Sequence, residues 1–208
     1  MSDIEIIKKY SREIKSCILD MPNADLRLLE LNGIVENNGN GLNLIKVNLS
    51  GSNLQGANLS LVYLTDSNLS GANLSHCYFL SCHLEGINLS NANLSNSDMG
   101  LCDFSGGNLS NANLSNSCFS NSAFVDVNLE NANLSNSDLV YAEFMGANLK
   151  HADLQGADLS FADFSMADLS YANLTNANLT NTILENTNLQ GAILTGAKIN
   201  KSDSKLTQ

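Results

Sequence analysis

The feature that most constrains this chain is a five-residue spacing of large apolar side chains. Counting in steps of five from Leu44 to Ile199 reaches 32 positions, all apolar: 24 Leu, six Phe, Met99 and Ile199. A helix turns by about 100° per residue and a strand by about 180°, so neither keeps every fifth side chain on one face. The backbone must therefore turn once within each group of five residues.

A second column of small residues lies two positions before each large one. It holds 15 Ala, six Ser, three Cys, three Val and two Thr, with Leu42, Ile87 and Gly107 at the remaining positions. Residues two apart in an extended segment point to the same side, so both columns are predicted to face inward. Most of the positions that lie two after a large residue hold Gly or Asn, which tolerate the positive φ of a type II turn. Each pentapeptide is thus a short strand followed by a corner.

A longer period, of four pentapeptides, sets the number of corners in one coil. The sequence Asn-Leu-Ser-Asn-Ala-Asn-Leu-Ser-Asn occurs at 88–96 and 108–116, and a variant with one Glu occurs at 128–136. Four pentapeptides therefore make one square coil, and the 32 pentapeptides make eight. With a strand spacing of roughly 4.8 Å, eight coils give a rod about 38 Å long.

The repeated Ala-(Asn/Asp)-Leu-(Ser/Thr)-Xaa units resemble those of the pentapeptide repeat proteins, over residues 42–201 without a gap. The resemblance implies an all-β solenoid, namely a right-handed quadrilateral parallel β-helix, and it is the source of the handedness. The flanking segments are predicted to be an α-helical N-terminal cap over residues 1–41 and a tail over residues 202–208. Within the cap, residues 2–21 are predicted to form an amphipathic helix that Pro22 ends, followed by an irregular first coil that is out of phase with the others.

The sequence contains little that indicates catalysis. Three of the five cysteines occupy the small inward column, where a thiol substitutes for alanine. The three histidines fall on different sides or distant coils, without a nucleophile beside them. A filled interior also leaves no cavity for a substrate. We therefore expect no catalytic residue, no cofactor and no metal site, and the protein is not predicted to be an enzyme.

Charge and hydropathy narrow the classes of partner. The net charge is −11, and residues 42–201 contain 13 acidic residues against four lysines and no arginine. Such a surface repels the phosphate backbone of nucleic acids. No run of 18 apolar residues is present, and the N-terminus is charged where a signal peptide would be apolar. The sequence therefore favours a cytoplasmic protein that binds neither nucleic acid directly nor a membrane.

One corner of the predicted prism departs from the polar pattern of the other sides. Large apolar residues occupy its turn positions and acidic residues flank them, a combination that often marks an interface. The predicted partner-binding residues are Leu61, Tyr63, Leu101, Tyr141, Phe161, Asp138, Glu143, Asp158 and Asp163. The alternative interpretation is that the charge only keeps the rod soluble and the apolar side chains carry no function.

The favoured function is a non-catalytic structural or protein-interaction module, a rigid acidic rod that binds a protein partner or itself. Self-association is expected at the C-terminal end, because the segment from Lys201 onward is short and polar. The resemblance adds an alternative, since some family members modulate DNA gyrase and topoisomerase IV, two type II topoisomerases, by imitating duplex DNA, as in quinolone resistance. Those members typically carry loops between coils and a C-terminal dimerisation helix, and neither is predicted here between Leu44 and Gln208.

Overall fold

The computed structural model of the chain describes residues 5–7, 20–27 and 43–200. Among these described residues there are two short strands, β1 at Asn178–Leu179 and β2 at Lys198–Ile199, and they pair in parallel. The other pentapeptides pair through single parallel β-bridges. Residues 5–7 are helical and lie within the segment predicted to form the N-terminal helix.

Each pentapeptide pairs with the fourth pentapeptide further along the chain. The paired residue is the one before each large apolar position, from Asn43 opposite Tyr63 to Asn173 opposite Ile193. The backbone hydrogen bonds follow the same register: Leu49 N, for example, donates to Asn68 O at 2.7 Å. Because four pairings occur within each repeat period, the chain forms the square coil that the sequence predicts.

The corners confirm the predicted turn conformation. All 31 turn positions from 46 to 196, taken at five-residue intervals, have a φ between 54° and 73°. The turns are closed by hydrogen bonds such as that from Ser52 N to Leu49 O, at 3.1 Å, as expected of a type II turn. Twelve of these positions hold neither Gly nor Asn, and six of the twelve hold a large apolar or aromatic side chain.

The large apolar residues fill the interior of the prism. On one side the rings of Phe104, Phe124, Phe144 and Phe164 form a continuous stack, with successive centroids 4.8, 4.8 and 4.5 Å apart. Phe119 comes from the neighbouring side and packs edge-on against Phe104 and Phe124. All five rings are fully buried. Stacked and edge-on pairs add roughly 0.5–1.5 kcal/mol each to the hydrophobic contribution, so the stack favours this register over others.

From Ser67 onward, the polar members of the small column donate hydrogen bonds to the preceding coil. Ser97 Oγ donates to Leu74 O at 2.8 Å, and Cys77 Sγ donates to Leu54 O at 3.0 Å. In both cases the acceptor lies 23 residues earlier in the chain. Because burying an unpaired hydroxyl is unfavourable, this bond explains why serine can replace alanine inside the rod.

Ile87 and Gly107 lie on successive coils in the small column, and their sizes are complementary. Ile87 is buried. A Cβ atom on Gly107 would lie 3.1 Å from Ile87 O, 3.4 Å from Ile87 Cγ2 and 2.8 Å from Phe104 O. The large side chain in one coil is therefore accommodated by the missing side chain in the next.

Residues 20–27 form two sides of an additional coil next to the first pentapeptides. Asp20 pairs with Asn48, Asp25 pairs with Asn53, and Leu26 is fully buried. Asn48 Nδ2 also donates to Asp20 Oδ1 at 2.6 Å, across an offset of 28 residues. This offset is larger than the repeat period and agrees with a first coil that is out of phase with the others. Because Asp20 pairs as a strand residue and Met21 is not helical, the prediction of a helix through residue 21 is wrong at these two positions; residues 8–19 lie outside the described residues. The predicted boundaries at 41/42 and 201/202 lie outside the described residues.

Candidate protein-interaction edge

Four large residues lie in one vertical column at a single corner of the prism: Leu61, Leu101, Tyr141 and Phe161. We call this column the apolar corner. Its members are separated by whole coils and occupy the same turn position in each coil. Their exposed fractions are 51%, 58%, 53% and 44%, respectively. The corner is therefore an exposed, largely apolar ridge along the rod.

The backbone of the apolar corner is in an unfavourable conformation. The φ angles of its four residues lie between 59° and 65°. The left-handed conformation costs a residue with a Cβ atom roughly 1–2 kcal/mol, a cost that Gly and Asn largely avoid. Because these side chains are about half exposed, they gain only part of the free energy of burial. Strain of this kind is often retained where a residue serves a function.

Two aromatic pairs lie at or beside the apolar corner. Tyr141 and Phe161 stack with their ring centroids 4.8 Å apart and their planes inclined by 18°. Tyr63 stacks on His83 with centroids 4.4 Å apart, and His83 Nδ1 lies 3.1 Å from Glu85 Oε1. Tyr63 is partly buried. It therefore belongs to the side of the prism next to the corner, where it exposes less surface than the four residues of the corner itself.

Carboxylates follow the apolar corner on both of its flanks. The outward positions of one flank include Asp98, Asp138 and Asp158, and those of the other include Asp103, Glu143 and Asp163. Asp138 is paired directly with Asp158, and Glu143 with Asp163. Like charges on directly paired strand positions are destabilising. The structure thus brings all four predicted acidic residues to the edge, in an arrangement that lowers the stability of the rod.

The acidic residues are unevenly distributed around the prism. Counting each side with its following turn, ten of the 13 acidic residues in 43–200 belong to the two sides that meet at the apolar corner; the other three are Glu130, Asp153 and Asp168. The lysines in the same range are Lys46, Lys150 and Lys198. Lys46 and Lys198 lie in the first and last coils and Lys150 lies on another side, so the middle of the edge is strongly negative.

The two remaining sides carry ladders of asparagine. Asn68 Nδ2 donates to Asn48 Oδ1 at 3.2 Å, and Asn88 Nδ2 donates to Asn68 Oδ1 at 3.2 Å. The amide oxygen also accepts a turn hydrogen bond, as from Ser50 N to Asn48 Oδ1 at 3.2 Å. The amides are therefore used within the rod. These bonds were not predicted from the sequence, although the recurrence of asparagine once per coil on each of these sides was a signal for them.

Two of the buried thiols, Cys77 and Cys102, are weakly acidic. Burial raises the pKa of Cys77 to about 12. A hydrogen bond with Cys82, together with burial, raises the pKa of Cys102. Thiols that remain protonated are poor nucleophiles. Within residues 5–7, 20–27 and 43–200, no group of three or more His, Cys, Asp or Glu side chains is placed to hold a metal ion. Over the same residues, no helix has the length and hydropathy required to span a membrane.

Square coils stacked around a filled interior define a β-solenoid repeat protein. In such a protein the interior residues hold the coils together, and the outer sides are the surfaces available for contact. The sequence model of the family described as pentapeptide repeats matches in eight copies over residues 43–79, 82–121, 128–165, 142–181 and 172–203. The chain therefore belongs to the pentapeptide repeat family.

Solved structures of other pentapeptide repeat proteins share this fold. HetL, from the cyanobacterium Nostoc sp. strain PCC 7120 and involved in heterocyst differentiation regulation, is 24% identical with a TM-score of 0.56, covering 95% of this chain and 94% of HetL. A trypsin-treated variant of QnrB1, a plasmid-mediated fluoroquinolone resistance protein, is 22% identical with a TM-score of 0.59, covering 91% and 93%. No curated protein matches the sequence. These likenesses concern the fold, and the predicted right-handed quadrilateral β-helix is confirmed.

Proposed function

We propose that this protein is a rigid, non-catalytic interaction module that binds a protein partner along the apolar corner and its acidic flanks. The observation that carries the proposal is the column of four bulky residues with positive φ and half-exposed side chains. Gly or Asn at those positions would give a more relaxed turn, as at most other corners. The strained ridge is therefore best explained by a contact that the isolated rod does not make.

Binding of its own copy belongs to the same proposal and would use the C-terminal end. Leu184, Leu189, Leu194 and Ile199 are partly buried, whereas the corresponding leucines in the middle of the rod are fully buried. Apolar surface of this kind, at the end of a stack of strands, favours end-to-end association. Analytical ultracentrifugation over a range of concentrations tests it, and a strictly monomeric species at the highest concentration contradicts it.

The partner contact can be tested by affinity capture on the immobilised protein. The double substitution Tyr141→Asn with Phe161→Asn removes both rings. Asparagine tolerates the positive φ of these turns, as Asn121 does in the same column. The matched control is Tyr171→Asn, because Tyr171 has a φ of 61° and is 51% exposed but lies at a different corner. We expect the wild type and the control to retain the same partner and the double variant to lose it. Equal retention by all three proteins would refute the proposal.

A second candidate function is a DNA-mimicking modulator of DNA gyrase or topoisomerase IV. The observation that favours it is the concentration of acidic residues on two adjacent sides of the rod, which resembles the charge of a nucleic acid. QnrB1, which shares the fold, is described as a fluoroquinolone resistance protein. A gyrase supercoiling assay with and without a quinolone tests this candidate, and no effect at micromolar protein removes it. For both candidates we propose a cytoplasmic location.

A further inference from the structure

We infer that the partner segment that docks on the apolar corner is cationic, and that one of its arginine or lysine side chains enters a notch at Asn121. The inference rests on the proposed function and specifies the chemistry of the partner at the same site. Two properties of the edge carry it: a gap in the apolar corner, and the distribution of carboxylates around that gap.

The gap arises because a short polar residue separates two large ones. Leu101, Asn121 and Tyr141 occupy the same corner in successive coils, since Leu101 N donates to Ser120 O at 3.1 Å and Asn121 N donates to Val140 O at 2.9 Å. With one strand spacing per coil, Leu101 and Tyr141 lie roughly 10 Å apart along the rod. Asn121 is exposed between them. The notch therefore spans one coil along the rod, with Leu101 on one side and the ring of Tyr141 on the other.

The aromatic wall presents one ring face to the notch. Phe161 stacks on Tyr141 from the next coil, with centroids 4.8 Å apart. Because that stack runs along the rod, the opposite face of the Tyr141 ring is directed toward the level of Asn121. A cation at that level would lie about 5 Å from the ring, which is within the range of a cation–π interaction.

Four carboxylates surround the two outward positions next to Asn121, which are themselves uncharged. At the level of Asn121 the outward neighbours are Cys118 and Ala123. Cys118 is paired with Asp98 in the preceding coil and Asp138 in the following one, while Ala123 is paired with Asp103 and Glu143 in the same way. Within residues 43–200, no arginine or lysine lies on these two sides in the three coils. The notch therefore combines a negative field with an apolar lining.

Charge complementarity selects the occupant. A second copy of this corner would bring carboxylates against carboxylates, and a nucleic acid would be repelled for the same reason. A neutral apolar segment would cover the carboxylates without pairing them, which is unfavourable. A segment with a basic side chain between apolar ones pairs the carboxylates and covers Leu101 and Tyr141. Arginine fits better than lysine, because its planar group stacks on a ring while it donates to carboxylates.

The inference can be tested with a defined probe, a fluorescein-labelled nine-residue peptide in which one arginine lies between leucines in a glycine background. The control peptide has citrulline, which is neutral and nearly isosteric, in place of arginine. Fluorescence anisotropy with the full-length protein should show that the arginine peptide binds at least about tenfold more tightly than the citrulline peptide. The difference should shrink as salt is raised from low to physiological concentration, because salt screens exposed charges.

Matched variants distinguish binding at the notch from nonspecific attraction of a cationic peptide to an acidic protein. The double substitution Asp138→Asn with Glu143→Gln removes two charges at the notch, and the control double substitution Asp153→Asn with Asp168→Asn removes two charges on the other sides. The asparagines keep the turn bonds, since Asp138 Oδ1 accepts from Val140 N and Asp153 Oδ1 accepts from Gln155 N, both at 3.1 Å. We expect the notch variant to lose at least about tenfold in affinity for the arginine peptide and the control less than about threefold.

A third variant, Asn121→Leu, keeps every charge and fills the notch, and it should also weaken the arginine peptide. Equal losses in the notch and control variants, equal affinity for the two peptides, or no binding at about 1 mM arginine peptide would each overturn the inference. The affinity capture described above distinguishes this failure from failure of the proposed function. A partner that is lost with Tyr141→Asn and Phe161→Asn but kept with Asp138→Asn and Glu143→Gln supports an interaction module whose partner is not cationic.

Discussion

A substitution series at Leu101 tests the strain on which the proposed function depends. Leu101 has a φ of 61° and is 58% exposed. Replacing it with alanine removes its side-chain contacts but keeps the Cβ atom that disfavours positive φ. Replacing it with asparagine or glycine removes the same contacts and also relaxes the backbone. The differences among the three variants therefore isolate the strain from the loss of buried surface.

The expected magnitudes follow from the exposure and the backbone angle. Complete burial of a leucine contributes roughly 1.5–3 kcal/mol, so a side chain with about two fifths of its surface buried contributes about 1 kcal/mol. Leu101→Ala should lower the free energy of unfolding by about this amount. Relief of the left-handed conformation returns about 1 kcal/mol or more, so Leu101→Asn should be close to wild type. Leu101→Gly should lie between the two, because glycine loses more backbone entropy on folding.

Urea denaturation followed by far-ultraviolet circular dichroism measures these differences, provided that the slope of the free energy against urea concentration stays constant. Asn121→Ala provides the reciprocal control in the same column, and it should lose about 1 kcal/mol. If alanine is as stable as asparagine at both positions, positive φ is not costly in these turns. Backbone strain would then be no reason to infer that the apolar corner is retained for function.

Three further predictions concern the core, the thiols and the acidic flank. Phe124→Ala should lower the free energy of unfolding by about 3–5 kcal/mol. Phe124→Leu should lower it by roughly 1–2 kcal/mol, because the contacts with three neighbouring rings are lost. If urea denaturation gives the same free energy of unfolding for Phe124→Leu as for the wild type, the ring stack does not stabilise the rod. In titration with Ellman's reagent at pH 8, Cys118→Ser should remove a fast-reacting thiol. Cys77, with a pKa of about 12, should react only when the protein unfolds. Loss of a fast-reacting thiol in Cys77→Ser would count against this prediction. Asp158→Asn should raise the melting temperature at low salt but little at high salt, because it removes the repulsion with Asp138. The asparagine can keep the hydrogen bond from Asn178 Nδ2, which is 2.9 Å long in the wild type. An unchanged melting temperature at low salt would contradict this prediction.

The repeat region could be predicted from the sequence because every pentapeptide repeats the same local requirement. A large residue such as Leu114 faces inward only if the chain turns after it, and Gly or Asn at the turn position makes that turn favourable. The period of four pentapeptides then determines which residues stack. Position within the coil and in the stack is therefore fixed for each residue from 43 to 200, and the apolar corner could be located before the structure was known.

Features outside the repeat, or arising from pairs of side chains, could not be predicted in the same way. The segment at 20–27 pairs with Asn48 and Asn53, a register that no internal repetition indicates. The stacking of Tyr63 on His83 depends on rotamers that the pentapeptide pattern does not determine. The notch at Asn121 was also missed, because it consists of a residue that is ordinary for its position and gains significance only from Leu101 and Tyr141 in adjacent coils.

The complementary sizes of Ile87 and Gly107 limit how such a rod can change its length during evolution. Loss or duplication of any four consecutive pentapeptides preserves the phase of the square, so in principle the rod could grow or shrink one storey at a time. Excising residues 88–107, however, would place Val127 against Ile87, next to which even a single Cβ atom at the position of Gly107 would lie 3.1 Å from Ile87 O and 3.4 Å from Ile87 Cγ2. Insertions and deletions of a whole coil should therefore be tolerated between some coils and destabilising between others. The lengths that the rod can reach in evolution are thus limited by individual pairs of side chains in adjacent coils.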